Sequence, residues 1–224
     1  MDVLPEGLRT LALRMPASAL ETSLSSLAST KANSNLTELH LGFVGSWNTY
    51  KRFLADMMTG STWADGSLIR FCLERFLPAM LRLTYLSMKC IMLPVTVLQT
   101  LPKALKTLKL QGLATMPPEA RRLPVPIVDA QSIRAHLCSG TSDLSRLKAL
   151  HYSPLLRSRL DPKDSNYANY APNVLMERSS IRSLELECAR RRIYFTCPAT
   201  DVLQGWIEEI ENARARQLTQ IFDW

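Results

Sequence analysis

Leu101-Pro102-Lys103-Ala104-Leu105-Lys106-Thr107-Leu108-Lys109-Leu110 repeats the frame of Leu4-Pro5-Glu6-Gly7-Leu8-Arg9-Thr10-Leu11-Ala12-Leu13. The shared pattern is L-P-x-x-L-x-x-L-x-L. Shorter copies of its core stand at Leu36-Thr37-Glu38-Leu39-His40-Leu41 and Leu83-Thr84-Tyr85-Leu86-Ser87-Met88. Leu11, Leu39, Leu86 and Leu108 mark the four copies, at separations of 28, 47 and 22 residues. The middle interval is about two repeat lengths and leaves room for a degenerate unit or an insertion within residues 44–76.

The L-x-L step alternates, so it suits a short strand with its leucines on one side and the intervening residues on the other. One unit cannot bury its own leucines, so neighbouring units must stack to form a continuous core. Proline at the edge of a unit opposes the competing reading as a leucine-rich helix.

The frame resembles the leucine-rich-repeat family over roughly residues 1–113. That resemblance implies strands lining the concave face of a curved solenoid. The asparagine that many members place after the strand is absent, for Arg14-Met15, Gly42-Phe43, Lys89-Cys90 and Gln111-Gly112 follow the four copies. The subtype therefore stays open. The positions between the leucines are Ala12, His40, Ser87 and Lys109, flanked by Thr10, Glu38, Tyr85 and Thr107. A mixed polar and aromatic row of this kind suits a protein partner.

The chain changes character after residue 113. Met116-Pro117-Pro118 and Leu123-Pro124-Val125-Pro126 bar regular helix. Residues 116–126 thus read as a Pro-rich linker between a repeat array over 1–115 and a second domain over 127–224. Within that domain, Leu147 to Tyr152 and Asn173 to Arg178 read as strands, with a polar loop from Asp161 to Pro172. Ile181-Arg182-Ser183-Leu184-Glu185-Leu186-Glu187-Cys188 reads as a half-buried strand. Ala189 to Arg192 follows as a turn, and Ile193 to Cys197 as a strand pairing back on the first. A helix over about 200–221 is capped by Thr200 or Asp201. Val202, Leu203, Trp206, Ile207 and Ile210 share one face of it, while Glu208, Glu209 and Glu211 face water.

Strand, basic turn, Tyr194-bearing strand, then Trp206-Ile207-x-x-Ile210 on a helix resembles the closing stretch of the pleckstrin-homology (PH) family. The match covers about residues 181–213. It implies a small α+β domain whose C-terminal helix plugs a bent sheet, with Trp206 in the core. It also implies that Arg190, Arg191 and Arg192 lie at the open end that faces lipid headgroups. Lys148 and Arg157-Ser158-Arg159 are similar to a basic motif of the family, and arginine suits bidentate phosphate contact. Residues 125–180 lack the family's usual basic-aromatic second strand with its own tryptophan.

The expected fold is thus an α/β leucine-rich-repeat solenoid followed by a smaller α+β PH-like domain. The alternative is one continuous repeat array, with Ile181 to Leu186 as a further strand and the last helix as a cap. The first makes 182–188 and 192–197 an antiparallel hairpin. The second makes 181–186 parallel to 105–110.

Composition limits the function. Apolar residues make up 46% and charged residues 21%, enough to bury a core. The net charge of +7 favours acidic partners. Residues 121–224 carry 15 Lys and Arg against 12 Asp and Glu, so neither half is a basic arm. Along the sequence no aromatic stripe interleaves with the basic residues, which disfavours nucleic acid. Cys72, Cys90, Cys138, Cys188 and Cys197 form no C-x-x-C pair. The opening Met-Asp-Val-Leu-Pro is unlike a signal peptide, and no run approaches the ~18 apolar residues of a membrane span. The sequon Asn35-Leu36-Thr37 carries little weight without a secretory signal. A cytoplasmic protein with reduced thiols follows, free to associate peripherally with membrane.

His40, His136 and His151 lack metal-ligand spacing, and there is no G-x-S-x-G elbow, P-loop or G-x-G-x-x-G. Cys188 or Cys197 could pair with His136 or His151 as nucleophile and base, but strand cysteines are usually inert. The sequence therefore predicts a non-enzymatic adaptor or scaffold without metal or cofactor. It binds a protein through the repeat surface, and acidic phosphoinositide membrane through the C-terminal domain. The continuous-array alternative leaves protein recognition alone.

Overall fold

Each copy of the frame forms a strand at its L-x-L step. The computed structural model describes residues 7–15, 35–43, 73–74, 76–89, 93, 95–114, 128–139, 143–155, 167–198, 200, 204–205, 207–208 and 211–212. Strands β1 (Thr10–Met15), β2 (Glu38–Phe43), β3 (Tyr85–Lys89) and β4 (Thr107–Ala114) lie side by side. Among the described residues, β5 (Ala149–Leu155) and β6 (Tyr194–Thr196) complete a six-stranded sheet in chain order, with every neighbouring pair parallel.

The register aligns the frames. Leu11, Leu39, Leu86, Leu108, Leu150 and Phe195 stand in one line across the sheet. Leu13, Leu41, Met88, Leu110 and Tyr152 form the next. Leu39, Leu86, Leu108 and Leu150 are fully buried, and one apolar core runs from Leu36 to Ile207. A slip of one residue would turn every one of these side chains to water, so burial fixes the pairing.

A repeated backbone device opens β2 to β5. The amides of Thr37 and Glu38 both donate to the carbonyl of Arg9. Thr84 and Tyr85 do the same to Thr37, Lys106 and Thr107 to Thr84, and Lys148 and Ala149 to Lys106. The hydroxyls of Thr37 and Thr84 add bonds of 3.2 Å to the same carbonyls of Arg9 and Thr37. Threonine in this place therefore reinforces the stacking step.

Among the described residues, the connections after β2 contain helical turns and helices. Short 3-10 turns occupy Leu77–Ala79, Val95–Thr100 and Asp143–Arg146, and two α-helices, α1 (Ala130–Cys138) and α2 (Tyr167–Arg190), pack together. A reciprocal cap starts α1: the Ser132 amide donates to Asp129 Oδ1 at 2.7 Å, and the Asp129 amide donates to Ser132 Oγ at 2.8 Å. Val128 and Ile133 bracket that cap and are both buried, as a hydrophobic staple requires.

This architecture corrects the two-part expectation of a leucine-rich-repeat solenoid followed by a PH-like α+β domain. One all-parallel sheet with helices, an α/β arrangement, runs through both halves, because β4 pairs directly with β5. The segment read as a strand over 181–188 belongs to α2, as do the strand read at 173–178 and the end of the polar loop at 167–172. Ile181, Leu184 and Cys188 are buried at helical spacing, whereas Leu186 is 65% exposed. β6 lies where the second hairpin strand was expected, but it pairs parallel with β5. Neither the antiparallel hairpin nor a strand at 181–186 exists. The linker over 116–126 and residues 44–72 lie outside the described residues.

Thr200, Gln204, Gly205, Ile207, Glu208, Glu211 and Asn212 are helical, within the helix expected over about 200–221. Ile207 is buried in the core, Glu208 and Glu211 are exposed, and Gln204 Nε2 donates to Glu208 Oε1 at 3.0 Å. Val202, Leu203, Trp206, Glu209 and Ile210 lie outside the described residues.

The end of α2 is a Schellman stop. The Ile193 amide donates to the Cys188 carbonyl at 2.8 Å and the Arg192 amide to Ala189 at 3.0 Å. Arg192 takes the left-handed conformation, φ 59°, that this motif demands and that glycine adopts without penalty. Arg192→Gly should therefore raise the unfolding free energy by up to about 1 kcal/mol. Urea denaturation checks it, and a loss of stability would mean that the arginine side chain carries the turn.

Candidate functional site

The alternation that buries the leucines presents the intervening residues on the opposite face of the sheet. Three rows cross that face. The first is Thr10, Glu38, Tyr85, Thr107, Ala149 and Tyr194. The second is Ala12, His40, Ser87, Lys109, His151 and Thr196. The third is Arg14, Gly42, Lys89, Gln111 and Ser153. All are exposed or half-buried, and Tyr194 is 65% exposed.

The structure thus brings together all eight residues expected to face a protein partner: Thr10, Ala12, Glu38, His40, Tyr85, Ser87, Thr107 and Lys109. The sequence reading stopped at β4 and missed Ala149, His151, Tyr194 and Thr196. A signal for β5 was present, since Leu147-Lys148-Ala149-Leu150-His151-Tyr152 keeps L-x-x-L-x-apolar with tyrosine in the last place.

Two aromatic pairs stand out on the face. The rings of His40 and Tyr85 are 5.0 Å apart, tilted by 38°. Those of His151 and Tyr194 meet edge to face at 6.2 Å. His151 Nδ1 lies 2.6 Å from the Thr196 hydroxyl, which holds the imidazole in place. Each pair sets a histidine in the second row beside a tyrosine in the first row of the next strand. The second pair repeats the first three strands along.

The charge on the face is basic. Arg14, Lys89 and Lys109 stand against Glu38 alone, and Thr10 Oγ1 donates to the Glu38 carboxylate at 3.3 Å. Among the described residues no carboxylate pairs with Arg14, Lys89 or Lys109. Gly42 separates Arg14 from Lys89, and the Arg14 stem leans over it: a Cβ there would stand 3.5 Å from Arg14 Cγ.

Compared with family models, with curated proteins and with solved structures, the chain matches none. The residues themselves must carry the reading.

The arginines expected to meet lipid sit in a different setting. Arg190 ends α2, and Arg191 and Arg192 form the turn after it, not a hairpin loop. Arg190 Nη2 lies 2.6 Å and Arg191 Nε 2.5 Å from Glu187 Oε1. Hydrogen bonds from Arg190 and then Arg191 hold the Glu187 carboxyl down at about 2. Two of the three guanidiniums are therefore already engaged by a carboxylate. Lys148 is exposed at the start of β5, where its carbonyl accepts from the Tyr194 amide at 2.8 Å. Arg157 and Arg159 lie outside the described residues.

Behind the sheet, the Tyr152 hydroxyl donates to Glu177 Oε1 at 2.8 Å and ties β5 to α2. Burial pushes the Glu177 carboxyl above its ordinary 4.5, opposed by the Tyr152 hydrogen bond and aided by Asp129. Burial also raises the Tyr152 hydroxyl, with Glu177 adding to the effect. A native value above the unfolded one means the contribution of Glu177 is complete below 4.5 and is lost as pH rises through the native value. Glu177→Gln keeps an acceptor for Tyr152 and removes the charge. Its stability should gain on wild type as pH climbs from 4 to 8, a range of about four units. Parallel urea-stability profiles across that range would dismiss the account.

Among the described residues no group of three or more His, Cys, Asp or Glu side chains could hold a metal ion. Burial pushes the Cys188 thiol up to about 11, so it stays protonated at neutral pH, and the ring nitrogen of His151 is turned to Thr196. Among the described residues, no helix is long and apolar enough to cross a membrane.

Proposed function

We propose that the chain is a non-enzymatic protein-recognition module, an adaptor or scaffold, that binds its partner on the polar face of the six-stranded sheet. The observation that carries this reading is the alignment of the three rows: one face packs a mostly leucine core, and the other collects Tyr85, Tyr194, His40 and His151 on a rigid base. Tyrosine supplies large contact area at low entropic cost and is enriched where binding energy concentrates. The resemblance of the frame to the leucine-rich-repeat family, in which residues between the leucines face a partner, supports the same reading. A continuous sheet favours protein recognition alone, because the membrane expectation drew its geometry from a hairpin that α2 replaces.

A photo-crosslinking amino acid placed in turn at Ser87, Thr107 and Leu186 tests it in cells. Ser87 and Thr107 should yield the same discrete protein adduct, which Tyr85→Ala should abolish. Adducts from Leu186 on the outer side of α2 in place of the sheet positions would overturn the reading.

A further inference from the structure

Resting on that reading, we infer that the partner presents an extended acidic segment with two large apolar side chains four residues apart. The inference starts from the two aromatic pairs. Tyr85 and Tyr194 occupy one row, three strands apart, and so do His40 and His151. Adjacent strands are spaced by about 4.8 Å, so the two pairs are offset by roughly 14 Å across the sheet.

An extended peptide rises about 3.4 Å per residue, and four residues cover the same roughly 14 Å. Four is an even number, so both side chains leave the peptide on the same side and face the sheet together. Three or five residues would turn one anchor away. A helix needs about nine residues for the same distance, since each adds only 1.5 Å. The spacing of the pairs therefore selects an extended ligand lying across the strands, with one ring or aliphatic group against His40 and Tyr85 and the other against His151 and Tyr194.

Charge selects the residue between the anchors. Its side chain also points at the sheet, over β4, where the second row places Lys109 between Ser87 and His151. Lys89 and Arg14 continue the basic surface in the third row. With Glu38 bonded by Thr10 and no described carboxylate on the three cations, the face is complementary to carboxylates. The pattern is apolar-x-acidic-x-apolar with acidic flanks. Interleaved aromatic and basic groups could also stack single-stranded nucleic acid. The two-site spacing and the modest charge favour the peptide.

Fluorescence anisotropy on the full chain tests this with a labelled peptide, Glu-Phe-Ser-Glu-Ser-Phe-Glu. Moving the second Phe one place closer should weaken binding roughly tenfold or more, as loss of one aromatic anchor does. Replacing the central Glu by Lys should do the same, and so should Tyr85→Ala, Tyr194→Ala or Lys109→Glu in the protein. Glu185→Lys on the outer side of α2 should leave binding unchanged, and circular dichroism of each variant separates unfolding from lost contact. Equal binding of the two spacings, or no binding, overturns the inference, and the crosslinking from Ser87 decides separately whether the recognition reading stands. Tighter binding of a single-stranded oligothymidylate at the same salt assigns the face to nucleic acid and overturns both.

Discussion

Leu108→Ala is expected to lower the unfolding free energy by about 2–5 kcal/mol, while Thr107→Ala next to it changes stability by less than about 0.5 kcal/mol. Leu108 is fully buried and sits in line between Leu86 and Leu150, so truncation opens a cavity bounded by neighbours on both sides. Those neighbours belong to rigid strands and close the space only in part, which places the cost toward the upper end. Thr107 is half-buried on the opposite face, and its side chain leaves the leucine core untouched. Chemical denaturation of the two variants measures the contrast. Similar losses would mean that the two faces are not divided as the register requires.

The second large effect separates Leu184 from Leu186. Leu184→Asp should cost more than about 4 kcal/mol, because it buries an uncompensated charge where α2 packs into the core. Leu186→Asp should be nearly neutral and improve solubility, since that side chain is 65% exposed. In a strand these two residues would share a face and both substitutions would be severe. Thermal unfolding of both proteins decides between helix and strand. Severe loss in Leu186→Asp would restore the strand.

The same pair shows why half of the fold was legible in the sequence and half was not. In β1 to β4 the frame is redundant: a leucine stands two residues before each strand, a leucine and then a leucine or methionine alternate within it, and two copies start with Leu-Pro. No helix tolerates that pattern as well as a strand does. Ile181-x-x-Leu184-x-Leu186 satisfies the same template by coincidence, because a spacing of three serves a helix equally. Parity does not separate them, since Leu105 is as far out of step with Leu108 as Ile181 is with Leu184. The difference lies in burial: Ile181, Leu184 and Cys188 are buried at a helical period of three then four, and Leu186 is exposed. Pro172 inside α2 concealed the helix further, since it forfeits a backbone bond that a helix normally needs.

The polar face of the sheet was half visible for a related reason. Residues between frame leucines are identifiable one strand at a time, so the shared side of Thr10 through Lys109 was legible in the sequence. The pairing of His40 with Tyr85 and of His151 with Tyr194 was not, because partners on adjacent strands stand 45 and 43 residues apart in the chain. Interleaving of aromatic and basic groups arises across strands, so a scan along the sequence misses it.

The shared carbonyls at the strand starts have a consequence for how the molecule breathes. Each inner strand leans only on the one before it and the one after it, so coupling passes along the row like a line of standing dominoes. β6 bonds over three residues and β4 over eight, so amide hydrogen exchange should be quicker in β6 than in β4. Tyr194, and with it the second aromatic pair, would then sit on the part of the platform that opens most often, and a bound ligand would register first as slowed exchange at that end.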